Sequence, residues 1–547
     1  MFKTFLIFGP NPNGMNTINE NVADFENPPH SFNRILWLAS ILLIVGLLLN
    51  LGIQPIFLEE PRRALVAMEM AERGNWWIPY QLGEFYYNKP PVFNWIVLIF
   101  AKLFNDFSEL AQRLPTVLSL IGIGLLIFFY GRRYVNTQLA WLSALLFTIS
   151  GGILFFFATI GEIDLFYTLI TLAGILPIFY YYQKGKFYQL FLWVYFFGAI
   201  GTLTKGLSSI IFIGFSLLAW FLYKKEFKRL FHLPHFVGVG IYIIIVGGYL
   251  LIYAQYNSLY EYLETLWTQS SERTVIDKGF APLLGHIFQF PLDLIKDTLP
   301  GSLLLLFTIR KNFWKTILKN EFIVFSLLML VANILIYWAS PGAKQRYIYP
   351  LYPFFIIILV YCWQYRHELN NWRNKTFRII SGVMIGLLAI GSLALNFVPA
   401  FQFLNYLLPI SIGAFITLSI IFYYFIKKPN FTLPILIIAT AMCRILFDLT
   451  VLPQRAYDSE AQRDRVLAQE FYEIVGDKPL YIYADNRISF TSVYYLNRLR
   501  KETLKRNYFI IPGAYYFIEK DCLPLPPAVL MEFKYEKRDY VLVQLSN

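Results

Sequence analysis

The residues of this chain best suited to chemistry lie in the segment 59–95, a charged and aromatic stretch between a first long apolar run and several later ones. Two adjacent acids and three basic side chains stand within it: Glu59, Glu60, Arg62, Arg63 and Lys89. Ionisable groups at a membrane surface are costly unless they serve a function. Two prolines follow Lys89 and stiffen the backbone, so that its amine can be aimed at a partner.

Three later segments bring the same kinds of group. They are ATIGEIDLF with Glu162 and Asp164, LTKG with Lys205, and SPGAKQRYIYP with Lys344 and Arg346. Each lies between two apolar runs. If each run crosses the membrane once, all three segments emerge on the same side of the membrane as the segment 59–95. Cations there would hold and stabilise a phosphate leaving group, and a carboxylate would activate or orient an acceptor hydroxyl.

Several of these residues also have a purely structural interpretation. Glu60 could be a helix cap or a partner of the helix dipole, and Arg63 could extend to lipid headgroups. Lys205 could be an interface anchor. Asp164 is harder to explain in this way, because an acid beside a spanning segment with no adjacent Lys or Arg is expensive. Arg444 and Asp448, four residues apart, are predicted to pair structurally.

The composition is that of a membrane protein. The chain has 547 residues, of which 57% are hydrophobic and 15% charged, whereas a soluble domain carries roughly a quarter charged residues. The net charge of +12 resides mostly in short loops between apolar runs, so it does not indicate nucleic-acid binding. Three scattered cysteines and five scattered histidines form no metal-ligand motif. No cofactor is indicated, and a divalent metal is left open.

The apolar runs predict an α-helical polytopic membrane protein with about 13 transmembrane helices. The runs are 35–53, 114–131, 138–158, 165–182, 187–203, 207–223, 236–254, 298–309, 321–339, 347–365, 379–397, 404–426 and 431–450. The run 298–309 is short and needs extension or support from its neighbours. With residues 1–33 as a cytoplasmic tail, every predicted internal loop is basic, in accord with the positive-inside rule.

The resulting domain boundaries are 34–450 for the membrane domain, with a first external loop at 54–113, and 451–547 for an external domain. Residues 61–73 and 91–104 are predicted to form helices that lie on the outer surface without crossing. The external domain should be a small α/β module. A helix is predicted at 457–475, with strands at PLYIYAD, VYYLN, NYFIIP, AYYFIE and YVLVQL.

The chain resembles a known family through five motifs in order: EEPRRALVAMEM with GNWWIPYQLGEFYYNKPPVFNW, then SELAQRLPTVLS, IGEIDLF, LTKG and SPGAKQRYIYPLYP. They are similar to the lipid A aminoarabinose transferases and to the wider dolichyl-phosphate-mannose protein mannosyltransferase-like group. The resemblance covers about residues 35–360. It implies a GT-C fold and a polyprenyl-phosphate sugar donor that is used on the external face of the membrane.

The resemblance also implies roles for individual residues. Glu59 and Asp164 match the family's acids, which makes them the catalytic candidates. Donor-phosphate binding falls to the residues that match the family's basic and tyrosine positions, which are Arg62, Lys89, Lys205, Lys344 and Tyr347. Glu60, Arg346 and Glu162 are further candidates. Asn88 and Arg63 depart from the family pattern, which leaves the sugar and the acceptor open.

The sequence therefore predicts a glycosyltransferase of the bacterial inner membrane with its active site on the periplasmic side. It would move a pentose or hexose from undecaprenyl phosphate to a lipid, glycan or protein acceptor, as in lipid A modification or protein mannosylation. One alternative is a transporter or flippase of a lipid-linked glycan, although such proteins tend to place charges near the bilayer midplane. Another is a structural membrane subunit, which would leave the charges of the first loop unexplained.

Overall fold

The computed structural model describes residues 30–271, 280–366, 371–522, 528–536 and 538–545. The predicted cytoplasmic tail lies outside these residues up to position 29, and helix α1 begins at His30. The first loop holds α2 (Glu60–Glu72), the short strands β1 (Tyr80–Gln81) and β2 (Glu84–Phe85), and α3 (Val92–Phe104).

Apolar helices build the body of the molecule. They are α1 (His30–Leu48), α4 (Glu109–Tyr134), α5 (Thr137–Thr148), α6 (Gly151–Phe155), α7 (Ile163–Gln183), α8 (Phe187–Lys205), α9 (Ser208–Tyr223), α10 (Leu233–Tyr253), α11 (Leu259–Ser271), α12 (Phe280–Asp297), α13 (Phe313–Ile317), α14 (Glu321–Trp338), α15 (Tyr352–Gln364), α16 (Trp372–Ala394), α17 (Leu407–Lys427) and α18 (Thr432–Tyr457). Within the described ranges, ten helical segments are long and apolar enough to cross a membrane, or eleven if the bent segment 137–159 counts as one. The prediction of a polytopic α-helical membrane protein is confirmed, and the number of crossings stays a prediction.

Two predicted spans are shorter than the sequence indicated. The run 207–223 forms the 16-residue helix α9. The run 298–309 is a seven-residue 3-10 helix, Gly301–Phe307, which follows closely after α12. A crossing needs about 20 helical residues, so this short segment does not span as an α-helix by itself.

The basic connections gather at one end of the helix bundle. Lys224 pairs with Glu321, and the neighbouring Asn320 side chain donates to the carbonyl of Tyr134, 2.9 Å away. Arg133 lies over the ring of Tyr180 near the end of α7. Since α7 begins beside Asp164 and runs the length of the bundle, these positive loops lie at the end opposite to Asp164.

The two helices predicted for the membrane surface differ from one another. α3 leaves Ile99 and Leu103 exposed, as a surface helix should. By contrast, α2 has ten of its thirteen residues buried. Its apolar residues Ala64 and Leu65 share a hydrophobic core with Phe471 of the C-terminal domain. The prediction that 61–73 lies on the membrane surface was therefore wrong, because protein covers this helix.

The C-terminal residues form a small α/β domain, as predicted. Its helices are α19 (Glu460–Val475) and α20 (Phe490–Arg500), and its strands are β3 (Leu480–Tyr483), β4 (Lys505–Asn507), β5 (Tyr515–Glu519), β6 (Ala528–Tyr535) and β7 (Arg538–Gln544). The strand order is β4-β3-β5-β7-β6, with β3 parallel to β4 and β5, and β7 antiparallel to β5 and β6. The strands predicted at VYYLN and NYFIIP were wrong, since the first lies within α20 and the second is irregular after Asn507, the last residue of β4.

Candidate active site

Asp164 is the centre of a cluster of charged side chains at the start of α7. Its carboxylate is 2% exposed, and Oδ1 accepts a hydrogen bond from Lys205 Nζ at 2.5 Å. The other oxygen, Oδ2, lies 3.7 Å from Arg346 Nη1. The ammonium of Lys205 also faces the rings of Tyr167 and Tyr347, about 5 Å from each ring centre. The last turn of α8 and the segment before α15 therefore meet the first turn of α7.

Glu162 adds a second buried carboxyl two residues earlier. Its side chain caps α7 by accepting from the backbone N–H of Ile163 at 3.3 Å. Burial raises the pKa of the Glu162 carboxyl to about 7 against the opposing effect of the Arg63 guanidinium, and Asp164 adds to the rise. Arg63 is 4% exposed and donates from Nη1 to the hydroxyl of Tyr86 at 2.9 Å. The prediction that Arg63 extends to lipid headgroups was wrong, because this side chain points inward.

Glu59 and Arg62 form the exposed edge of the same cluster. Arg62 Nη1 lies 2.8 Å from Glu59 Oε2, and both side chains are about one-third exposed. Glu59 is close enough to interact electrostatically with Glu162 and with Arg346. The charged groups from the first loop, from the start of α7, from the end of α8 and from the segment before α15 therefore share one site.

Glu60 is not part of this charged cluster. Both of its oxygens bond Arg113, with Nε 2.8 Å from Oε1 and Nη2 2.9 Å from Oε2. Oε1 also accepts from the backbone N–H of Gly161 at 2.6 Å, and Oε2 from that of Phe57 at 3.2 Å. The remaining donors of Arg113 bond the carbonyls of Leu51, Gln54 and Pro55. This buried pair fixes the first loop against α4 and leaves little capacity for a substrate.

Lys89 lies in the first loop, and Lys344 lies in the segment before α15. Lys89 is half-buried in the turn that leads from β2 to α3. The first turn of α3 reaches α7 through Phe93, whose ring packs 5.8 Å from that of Phe166. Lys344 is exposed, whereas Arg346, two residues later, makes the ion pair with Asp164. Of the two basic residues in this segment, Arg346 is therefore the one directed into the cluster.

A further acid, Asp297, ends α12, and it interacts electrostatically with Tyr349, as Asp164 does. Burial raises the pKa of Asp297, while the hydroxyl of Tyr352, which donates to Oδ2 at 2.8 Å, opposes that rise. A Cβ atom at Gly152 would overlap with this carboxylate, so the approach of α12 requires a glycine at that position. The sequence offered no signal for Asp297, because it lies in a charged connection that is not one of the five motifs.

The chain is similar to known proteins in sequence and in fold. A family model described as dolichyl-phosphate-mannose-protein mannosyltransferase matches residues 88–252. The undecaprenyl phosphate-alpha-4-amino-4-deoxy-L-arabinose arabinosyl transferases of Aeromonas salmonicida and Pseudomonas savastanoi pv. phaseolicola are 22% and 26% identical over 65% and 67% of this chain. These matches span 66% and 67% of the two relatives, about two thirds of their length.

The crystal structure of ArnT from Cupriavidus metallidurans bound to undecaprenyl phosphate superposes with a TM-score of 0.69. That superposition covers 92% of this chain and 97% of ArnT at 16% sequence identity. The chain has a GT-C fold. The predicted fold class, a GT-C membrane domain followed by a small α/β domain, is thereby confirmed.

Two buried arginines show which ion pairs can be predicted from the sequence and which cannot. Arg113 lies within the motif SELAQRLPTVLS, yet its partner Glu60 is 53 residues away. The pairing of Arg444 with Asp448, predicted from their spacing of four, is present at 2.8 Å in α18. In the described part of the chain, no group of three or more His, Cys, Asp or Glu side chains could hold a metal ion.

Proposed function

We propose that the protein is an integral membrane glycosyltransferase that moves a sugar from a polyprenyl-phosphate donor to a lipid, glycan or protein acceptor. The observation that carries this proposal is the cluster at Asp164. Four cations and three carboxylates meet there at one end of a membrane bundle: Arg62, Arg63, Lys205, Arg346, Glu59, Glu162 and Asp164. ArnT, which has the same fold, binds undecaprenyl phosphate, and an anionic lipid phosphate needs a cationic site.

The proposed reaction is a direct displacement. The acceptor oxygen forms a bond to the anomeric carbon of the sugar while the bond from that carbon to the phosphate oxygen breaks. The polyprenyl phosphate leaves with the bonding electrons, and the configuration at the anomeric carbon inverts. Negative charge grows on the phosphate in the transition state, where Arg62, Lys89, Lys205 and Lys344 with Tyr347 would stabilise it. Arg346 joins this set because of its contact with Asp164.

A hydroxyl acceptor must also lose a proton to a base. Glu59 and Asp164 were the predicted candidates. Asp164 is paired with two cations, which favours a role in orienting Lys205 and Arg346 toward the phosphate. The Glu162 carboxyl, with a pKa of about 7, is better matched to accept a proton near neutral pH. Glu59 lies at the open edge, where it can meet an acceptor.

The proposed reaction is tested with purified protein in lipid vesicles and undecaprenyl-phosphate donors that carry a pentose or a hexose. Mass spectrometry should detect the glycosylated acceptor and released undecaprenyl phosphate in equal amounts. The envelope lipids, glycans and glycoproteins of cells with and without the protein then identify the acceptor. Donor that crosses the bilayer with its sugar still attached would contradict the proposal and indicate a flippase.

The proposed location is the bacterial inner membrane, with the cluster on the periplasmic side. The basic loops at the opposite end support this orientation through the positive-inside rule. Cysteine labelling tests it in a background in which the exposed Cys522 is replaced by serine. Gln469→Cys on α19 should react with a membrane-impermeant reagent in intact cells, and Lys186→Cys only after the inner membrane is opened. The reverse pattern would overturn the orientation.

A further inference from the structure

The segment that precedes Glu59 has no regular secondary structure, yet hydrogen bonds from side chains fix its backbone at several successive residues. Arg113 donates to the carbonyls of Gln54 and Pro55 at 2.8 and 3.1 Å. The N–H of Phe57 donates to Glu60 at 3.2 Å. These bonds come from the membrane domain and fix the segment on two sides of Ile56.

The C-terminal domain supplies the bonds to Ile56 itself. The N–H of Ile56 donates to the hydroxyl of Tyr495 at 3.1 Å, and the hydroxyl of Thr491 lies 3.4 Å from the Ile56 carbonyl. The Tyr495 hydroxyl in turn donates to Glu109 at 2.7 Å. Glu109 begins α4, the helix that also carries Arg113. One hydroxyl of α20 thus links the loop backbone to the helix that fixes the rest of the loop.

The same helix contacts the charged cluster. Its first residue, Phe490, lies under the guanidinium of Arg62, with Cζ 5.5 Å from the ring centre. Arg62 is at the same time paired with Glu59 at 2.8 Å. A cation over an aromatic face is attracted by the ring, which limits the directions that Arg62 can take.

We propose that α20 is a positioning element of the candidate active site, in which Tyr495 and Thr491 fix the loop that carries Glu59 while Phe490 orients Arg62. This inference rests on the proposed function for its catalytic consequence. It gives the C-terminal domain a defined role, that of holding the edge of the candidate active site in place. Small displacements at such an edge are expensive, since a shift of about 1 Å can lower a rate by about 100-fold.

The first test compares two adjacent tyrosines of α20. Tyr495→Phe removes the bonds to Ile56 and Glu109, and we expect kcat to fall about tenfold with the donor KM within about twofold of wild type. The control is Tyr494→Phe, since the hydroxyl of Tyr494 donates to the carbonyl of Phe107, away from Ile56. We expect its kcat to stay within about twofold of the wild-type value. Equal losses in the two variants would overturn the proposal.

A second pair of variants examines the contact with Arg62. Phe490→Leu should raise the donor KM about threefold, because Arg62 loses its aromatic partner, and Phe490→Tyr should restore it. A merely structural role would lower the melting temperature and leave the KM of the folded protein unchanged. An unchanged donor KM in Phe490→Leu would contradict the role of this ring.

Hydrogen exchange measures how firmly α20 holds the first loop, and it does not depend on sugar transfer. Amides in the segment 51–60 of the full-length protein should exchange faster in Tyr495→Phe than in wild type, and at the wild-type rate in Tyr494→Phe. If the wild-type protein transfers no sugar, the proposed function fails, while this measurement still decides whether α20 holds the loop. Unchanged exchange in Tyr495→Phe would overturn the positioning role.

Discussion

Two buried acids, Glu60 in the first loop and Asp164 at the start of α7, differ in the number of hydrogen bonds that their carboxylates accept. Glu60 has two hydrogen bonds on each oxygen, from Arg113 and from two backbone N–H groups. Asp164 has a short bond on one oxygen, and its second oxygen has only the longer ion pair with Arg346 and no hydrogen bond. Buried polar atoms normally have hydrogen-bond partners, so the unbonded Oδ2 of Asp164 needs an explanation.

The contrast separates an ion pair whose hydrogen-bonding atoms are all used from one that leaves some of them unused. Nitrogen atoms around Asp164 also lack hydrogen-bond partners, namely Nε of Arg63 and Nε of Arg346. Under the proposed function, these unused donors would bind the anionic donor phosphate, whereas Arg113 uses its donors on Glu60 and on carbonyls. Burial and charge alone do not distinguish the two sites, but the number of unused donors does.

The largest expected effect is on turnover. Asp164→Asn should lower kcat by about 100-fold, because Lys205 and Arg346 lose the carboxylate that orients them and a shift of about 1 Å is enough for such a loss. The melting temperature should also fall, because Lys205 loses its buried partner, so kcat is expressed per folded molecule. The measurement is sugar transfer in lipid vesicles beside thermal unfolding in detergent. A loss below about tenfold would assign Asp164 a structural role.

Arg113→Gln should have its larger effect on stability and its smaller effect on turnover. Breaking a buried pair leaves Glu60 without its partner and costs about 3–5 kcal/mol of folding free energy. Thermal unfolding should shift clearly downward, and kcat per folded molecule should fall only about tenfold, because the loop that carries Glu59 loses the bonds from Arg113 to the carbonyls of Gln54 and Pro55. The control is Arg463→Gln, an exposed residue paired with Asp458 on the surface, which should change stability little. An unshifted melting temperature for Arg113→Gln would remove the contrast.

The pH dependence examines Glu162. If it is the base, transfer to a hydroxyl acceptor should rise with pH through about 7, and Glu162→Gln should lack this rise. The folded-state pKa lies above the usual value of 4.5, so ionised Glu162 destabilises the fold. Wild type should therefore lose stability relative to Glu162→Gln as pH increases from about 4.5 to about 7. A rate profile shared by both proteins would exclude Glu162 as the base.

The smallest effect is expected at the edge of the cluster. Lys89→Ala should weaken donor binding and turnover about tenfold, and Lys89→Arg should restore part of it, because the charge is kept but its geometry changes. Lys344→Ala, at an exposed position, should have less effect than Arg346→Ala. Donor binding and turnover in reconstituted protein measure both comparisons. Wild-type values for Lys89→Ala would show that this lysine only anchors the interface.

The sequence was sufficient for features that depend on local patterns. Long apolar runs predicted the membrane helices, and acids at the start of a run predicted that Glu162 and Asp164 would lie at the end of a helix. The spacing of Arg444 and Asp448 predicted their contact. Each of these predictions concerns residues that are near one another in the chain or repeat with a fixed period.

Features that depend on distant partners could not be predicted in this way. Nothing in the sequence distinguishes Glu60 from Glu59, because Arg113 makes the difference from another helix. The run VYYLN is too short for its periodicity to separate a strand from a helix. As a helix it turns Tyr494 and Tyr495 toward the first loop, a contact that only the docking of the C-terminal domain reveals.

The bond between Ile56 and Tyr495 joins residues that are 439 positions apart. At a synthesis rate of about 5–20 residues per second, Tyr495 emerges from the ribosome roughly 20 to 90 s after Ile56. The membrane helices have been synthesised by then, so the first loop can form its contacts with α20 only after the last part of the chain has been made. Biogenesis therefore couples the final shape of this loop to completion of translation, and a nascent or prematurely terminated chain lacks the contacts that hold it.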